Sequence, residues 1–219
     1  MTITNGYTDW ATLKAYLGIG AGVTTNDNEI DMAINGASRA IDQYCNRKFW
    51  LDPTPVAHTF IPNGLLYLAF GSDDELGGDI GTTAGLVVQT DPSGNGTFGV
   101  TWASTDYQLL PQNAAAAWPE PRPWTAMRAI GTKTFPWLVN TWLTRLDRVK
   151  ITAQWGWPAV PDAVTQACLI KAARLYHRKD SPQGVAGFGE FGPVRLSKTE
   201  DGDVVQLLAT YGRGRVLVA

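Results

Sequence analysis

The apolar positions of this chain fall into three regimes. They recur at three- and four-residue steps up to about residue 47, alternate in short runs from 56 to 150, and return to helical spacing from about 162. The first regime predicts two helices. One spans residues 8–17, with Thr8 as N-cap, Asp9 in the first turn, an apolar face of Trp10, Leu13, Tyr16 and Leu17, and Gly18 as its stop. The second opens at Asn26, with Glu29 three residues on as in a capping box. It carries Ile30, Ala33, Ile34, Ala37, Ile41, Tyr44 and Cys45 on one face and ends near Arg47.

Character changes at Asp52-Pro53-Thr54-Pro55. Gly, Pro, Thr and Trp become frequent, and alternation predicts strands over 56–61, 65–70, 86–90, 98–102 and 107–110. Asn63-Gly64 is placed to turn the first two into a hairpin. Residues 73–81 and 93–96 read as exposed loops, 114–117 is an alanine run, and the Pro-rich stretch 118–124 fits no regular element. Val149, Ile151 and Ala153 then alternate as in a half-buried strand, which Trp155-Gly156-Trp157-Pro158 ends in a turn. Pro161 and Asp162 open a helix that runs to about Lys179 and stops at Asp180-Ser181-Pro182. A Gly-rich loop over 184–193 leads to a short strand over 194–197. A last helix over 203–211 has Val204, Leu207, Leu208 and Tyr211 on one face.

The plan is α+β: a small helical bundle formed by the N- and C-terminal segments, with a β-rich insertion between the second helix and the long C-terminal helix. In numbers, 1–55 is the first part of the helical core, 56–150 the insertion, and 151–219 the second part with its Gly-rich loop and C-terminal tail.

Composition narrows the function. A formal charge of -2 and a sequence pI near 5.6 argue against a protein that grips nucleic acid through its phosphates, which needs a basic excess. A mildly acidic wall still suits a passage through which DNA must slide. Nine tryptophans raise the weight of a binding or assembly role, since large rings at solvent edges become partner contacts. Cys45 and Cys168 fit no zinc spacing and no disulfide framework, and read as buried small hydrophobes. With no signal peptide and no transmembrane run, a reducing cytoplasm is the expected place of synthesis.

The candidate chemistry is thin. Gly187-Phe188-Gly189-Glu190-Phe191-Gly192 matches G-x-G-x-x-G by letter, but follows a predicted helix and precedes a strand, the reverse of a dinucleotide site. A flexible loop whose two Phe rings anchor on a neighbouring chain accounts for it better. His58 and His177 have no nucleophile and acid in a motif around them and read as structural. Asp73, Asp74, Glu75 and Asp79 are the densest acidic cluster, without EF-hand spacing, and read as a solvated loop. Lys171, Arg174, Arg178 and Lys179 form a basic face on the long helix, either solvated or set against an acidic chain. No catalytic, cofactor-binding or metal-ligating residue is expected.

Three stretches nonetheless form an ordered set: Tyr7-Thr8-Asp9-Trp10-Ala11-Thr12-Leu13-Lys14-Ala15-Tyr16-Leu17-Gly18-Ile19, Ala37-Ser38-Arg39-Ala40-Ile41-Asp42-Gln43-Tyr44-Cys45-Asn46-Arg47-Lys48-Phe49, and 148–185 with its Trp155-Gly156-Trp157-Pro158 turn, Val160-Pro161, Ala172-Ala173-Arg174-Leu175-Tyr176 and Asp180-Ser181-Pro182-Gln183-Gly184-Val185. The set, about half the chain, resembles the head-to-tail adaptor proteins of long-tailed double-stranded DNA phages. The resemblance implies a virion structural protein, not an enzyme: a ring, usually of twelve subunits, attached beneath the portal protein after DNA packaging. Such a ring extends the DNA channel and offers a platform to the next neck or tail protein, a stopper or tail terminator. It sits in the virion neck, is made in the host cytoplasm, passes double-stranded DNA without reading its sequence, and needs no membrane. On that resemblance the tail 212–219, with Arg213, Arg215, Val216, Leu217 and Val218, is the candidate for portal docking, and Phe188 and Phe191 are the candidates for contact between subunits. The alternative is a Trp-rich β module that binds carbohydrate or another small ligand, stacking it on Trp102, Trp118, Trp124 or Trp142.

Overall fold

The computed structural model describes residues 2–71, 78–117, 119–137, 148–178, 185–189, 192–195 and 201–213. Contacts divide the chain into two compact units: Met1–Asn46 with Val160–Arg215, and Arg47–Ala159. Residues 47–55 and 151–159 therefore belong with the β-rich unit.

The helical unit holds α1 (Trp10–Tyr16), α2 (Asp27–Cys45), α3 (Asp162–His177) and α4 (Gly202–Leu208). On α2 the apolar steps bury Ile30, Ala33, Ile34, Ala37, Ile41 and Cys45, each at most 6% exposed, while Tyr44 stays 46% exposed. Facing them on α3 are Val164, Ala167, Cys168, Leu169, Ala172, Ala173 and Tyr176. The many alanines let the two helices approach closely; a Cβ on Gly36 would already touch Leu175 Cδ1 at 3.5 Å. Each buried isoleucine contributes about 1.5–3 kcal/mol, which short helices of this length need, since propensity alone leaves them marginal. Asn46 stops α2 in the left-handed region at φ 51°, a conformation Asn tolerates.

Helix α1 departs from the pattern. Its N-cap is Asp9, not Thr8: the Asp9 carboxylate accepts from the Thr12 amide at 2.8 Å. Trp10 and Tyr16 lie 47% and 52% exposed, and the buried pair is Leu13 with Lys14. Lys14 is buried because its ammonium is fully engaged. It donates to Val23 O at 2.7 Å, pairs with Asp27 at 2.5 Å and lies over the Trp10 ring.

The β unit contains a four-stranded antiparallel sheet in the order β1 (Val56–Phe60), β7 (Val149–Trp155), β3 (Ile80–Thr90), β4 (Val100–Trp102). A three-stranded one runs β2 (Tyr67–Ala69), β6 (Ala126–Ala129), β5 (Tyr107–Leu110). The Asn63-Gly64 hairpin does not form. β1 pairs with β7 and β2 with β6, so the two segments enter different sheets, and Asn63 instead accepts from the Ala69 amide. Both sheets feed one core of Leu68, Phe70, Val88, Met127, Ile151 and Trp155, among others. Trp155, which leads into the Trp155-Gly156-Trp157-Pro158 turn, belongs to it and its Nε1 donates to Val56 O at 2.8 Å; Trp157 is also buried, with its ring 5.2 Å from that of Phe49. The stretch read as an exposed loop over 73–81 is corrected at its C-terminal end, where Asp79 and Ile80 are buried and Ile80 starts β3.

A separate hairpin joins β8 (Val185–Gly189) and β9 (Gly192–Arg195), with Gly189 opposite Gly192. The described part of the segment read as a Gly-rich loop is thus a strand pair: Gly187 and Gly189 of the G-x-G-x-x-G letters lie on β8 and Gly192 on β9, and none of the three opens a helix that a pyrophosphate could face.

Candidate assembly surfaces

Four features carry polar groups into otherwise apolar surroundings, and none resembles a catalytic relay. Along α2, Asn35, Ser38, Arg39 and Asp42 follow a three- and four-residue spacing and hold the segment 2–7 against the helix. The Thr4 amide donates to Asn35 Oδ1 at 3.0 Å and the Tyr7 amide to Ser38 Oγ at 3.1 Å. Arg39 donates to Asn5 O at 2.9 Å, and the Tyr7 hydroxyl makes a short hydrogen bond to the Asp42 carboxylate. Asp42 is 4% exposed and its second oxygen faces Arg39 Nε at 3.2 Å. Ser38 also meets Cys168 Sγ at 3.5 Å, and burial is the main cause that pushes the Cys168 thiol above its usual range. The sequence carried a signal for this strap: Ser38 and Asp42 interrupt the apolar face of α2, and a buried polar group needs a partner.

Close by, at the last turn of α2, Cys45 O accepts from the Arg213 amide at 2.8 Å, which ties the tail there, and Tyr211 is buried. Of the docking candidates, only Arg213 is described; Arg215, Val216, Leu217 and Val218 lie outside the described residues. Phe188 lies in β8 opposite Pro193, and Phe191 lies outside the described residues. On α3, Arg178 is exposed, Lys171 and Arg174 are half-buried, and Lys179 lies outside the described residues.

In the β unit, Asp79 is buried beside Arg47 (Oδ2 to Nε 3.4 Å), so one member of the acidic cluster is an internal ion pair, not a solvated charge. Asp73, Asp74 and Glu75 lie outside the described residues. His58 stacks on Trp155 at 4.7 Å between ring centroids. His177 is exposed near the end of α3. Trp102 is 6% exposed and stacked on Phe135 at 4.9 Å, and Trp124 packs half-buried against the core. Trp118 and Trp142 lie outside the described residues. A cleft of about 470 Å³ opens beside Trp102 and Phe135, lined also by Leu65, Val100, Lys133 and Arg148. Among the described residues no group of three or more His, Cys, Asp or Glu side chains converges to hold a metal ion.

No protein-family model matches the sequence, and no curated protein matches it. Solved structures do. A chain from "Neck of empty GTA particle computed with C6 symmetry" is similar over 100% of this chain and 96% of its own, with 19% identity and a TM-score of 0.55. A chain from "Virion of native gene transfer agent (GTA) particle" is similar over the same shares, with 20% identity and a TM-score of 0.50. At this identity the likeness establishes a shared fold.

Proposed function

We propose that this chain is a virion structural protein of the neck, a head-to-tail adaptor. The observation that carries the reading is the likeness over nearly the whole of both chains to a protein from the neck of a gene transfer agent particle. The three motif stretches of the sequence support it independently; they lie on α1, on α2, and on β7 with α3. In this role copies of the chain form a ring under the portal protein after DNA packaging, extend the DNA channel and present a platform to the stopper or tail terminator. A head-to-tail contact repeated about an axis closes such a ring and requires two different patches on each subunit. The tail 212–219 docks on the portal, where a short apolar segment with Arg213 and Arg215 adds contacts to a preformed groove. Phe188, on β8, and Phe191 contact the neighbouring subunit.

The test is electron microscopy of particles made without this protein. DNA-filled heads that hold no tail are expected, and normal tailed particles would refute the role. In a second arm, a chain lacking residues 212–219 should fold yet fail to co-purify with portal-bearing heads; unchanged attachment removes the docking assignment.

A further inference from the structure

Alternation along a strand sends one set of side chains to the core and the other outward, and the outward set of a sheet packed on one face is ordinarily polar. The sheet β2–β6–β5 departs from this. Its inner set, with Leu68 opposite Met127, is fully buried in the β-unit core. On its outer face Tyr67 stands opposite Arg128, and Arg128 opposite Gln108. Two residues before Tyr67 and two after Arg128, the same alternation continues the face with Leu65 and Ile130. Leu65, Tyr67 and Ile130 are 51%, 46% and 42% exposed, and Arg128 is exposed among them. Asp106, just before β5, is held by Lys133 at 3.3 Å and accepts from the Ala103 amide at 2.9 Å. The patch therefore sets a guanidinium among apolar and aromatic side chains. Those are the residue types in which binding energy concentrates at protein interfaces.

The helical unit carries a patch of similar make and opposite charge. Trp10 and Val23 are 47% and 46% exposed, and both meet Lys14, whose ammonium lies 4.8 Å from the Trp10 ring centroid and bonds Val23 O. Beside them Asp27 takes that ammonium while its own side chain stays 46% exposed. Asp31 follows one turn on along the same side of α2 and is half-buried. Since Asp27 answers Lys14, the Asp31 carboxylate gives the patch its sign.

We infer that these are the two sides of one contact between copies of the chain. Leu65, Tyr67 and Ile130 of one copy cover Trp10 and Val23 of the next, and Arg128 pairs with Asp31. A second copy is the occupant because the chain itself supplies the complement in both apolar surface and charge. Two different patches are also what a head-to-tail ring requires. Either patch packed on its own copy about a twofold axis would bring like charges together. A DNA duplex suits the sheet face less, since phosphate binding uses several cations and this face sets one among three apolar side chains. The inference rests on the ring reading above, to which it gives one pair of subunit surfaces.

The test puts the photo-crosslinker p-benzoylphenylalanine in place of Tyr67 in the full chain, irradiates purified tailed particles and maps the adducts by mass spectrometry. Adducts to residues 10–31 of a second copy are expected. Adducts to another protein, to DNA or to a different part of the chain would overturn the contact, as would none at all. In a second arm, Arg128→Glu should lower the yield of tailed particles roughly tenfold or more, because like charges then face each other. Adding Asp31→Arg to that variant should restore the yield, which a mere folding defect would not allow. A double variant no better than the single one would overturn the pairing. If particles made without the chain keep their tails, the adaptor role fails whatever the adducts show; adducts to another neck protein sink this contact and leave that role standing.

Discussion

Gly156 offers the sharpest test of how the Trp turn is built. Its φ of 117° is one that side-chain-bearing residues rarely adopt, and forcing Ala into such a region costs about 1–3 kcal/mol. Space is the second obstacle. A Cβ at Gly156 would stand 1.9 Å from Trp50 O and 3.1 Å from Leu51 Cα, both backbone atoms that cannot rotate away. Relief would have to shift the strand end that carries Trp155 and Trp157, both fully buried, or lengthen the 2.7 Å bond from the Gly156 amide to Asp79 O. Loosening one large buried ring costs on the order of 3 kcal/mol. Gly156→Ala should therefore destabilise the β unit by about 4 kcal/mol or more. Gly131 is the control, with φ 66° and nothing within 4 Å of a Cβ, so Gly131→Ala should cost only about 1 kcal/mol. Urea unfolding followed by tryptophan fluorescence and near-UV circular dichroism measures both. If Gly156→Ala costs no more than Gly131→Ala, the backbone contact with Trp50 is not what fixes the turn.

The strap on α2 and the cap of α1 give further expectations. Tyr7→Phe removes a buried hydrogen bond to the Asp42 carboxylate and should cost about 1.5–3 kcal/mol. It should also speed amide exchange at Thr4 and Tyr7, and unchanged exchange would show that the segment 2–7 is held by other means. Asp9→Ala should cost about 1 kcal/mol at neutral pH. The Thr12 amide is the largest of the contributions that hold the Asp9 carboxyl below its usual range. The folded value then lies below the unfolded one, so the contribution is whole above about pH 4 and is lost as pH falls through the folded value. Wild type and Asp9→Ala should converge in stability in acid, and a gap that persists there would remove the carboxylate as the cause.

Periodicity disclosed the elements whose burial is one-sided and hid those whose partners are distant. The face of α2 could be read because Ile30, Ile34, Ala37 and Ile41 recur on one side and need only α3 to cover them. The alternation of Val149, Ile151 and Ala153 was equally plain because β7 is central and its inner face is wholly apolar. The strand Ala126–Ala129 escaped notice, since two of its four residues are alanines and its pairing with β2 and β5 spans tens of residues. Asn63-Gly64 misled for the same reason: a local turn signal cannot see that both flanking strands have stronger partners elsewhere. Lys14 and Arg148 were the least legible positions. A charged side chain in a pattern reads as solvent-facing, and only the fold reveals that both are buried, Lys14 against Asp27.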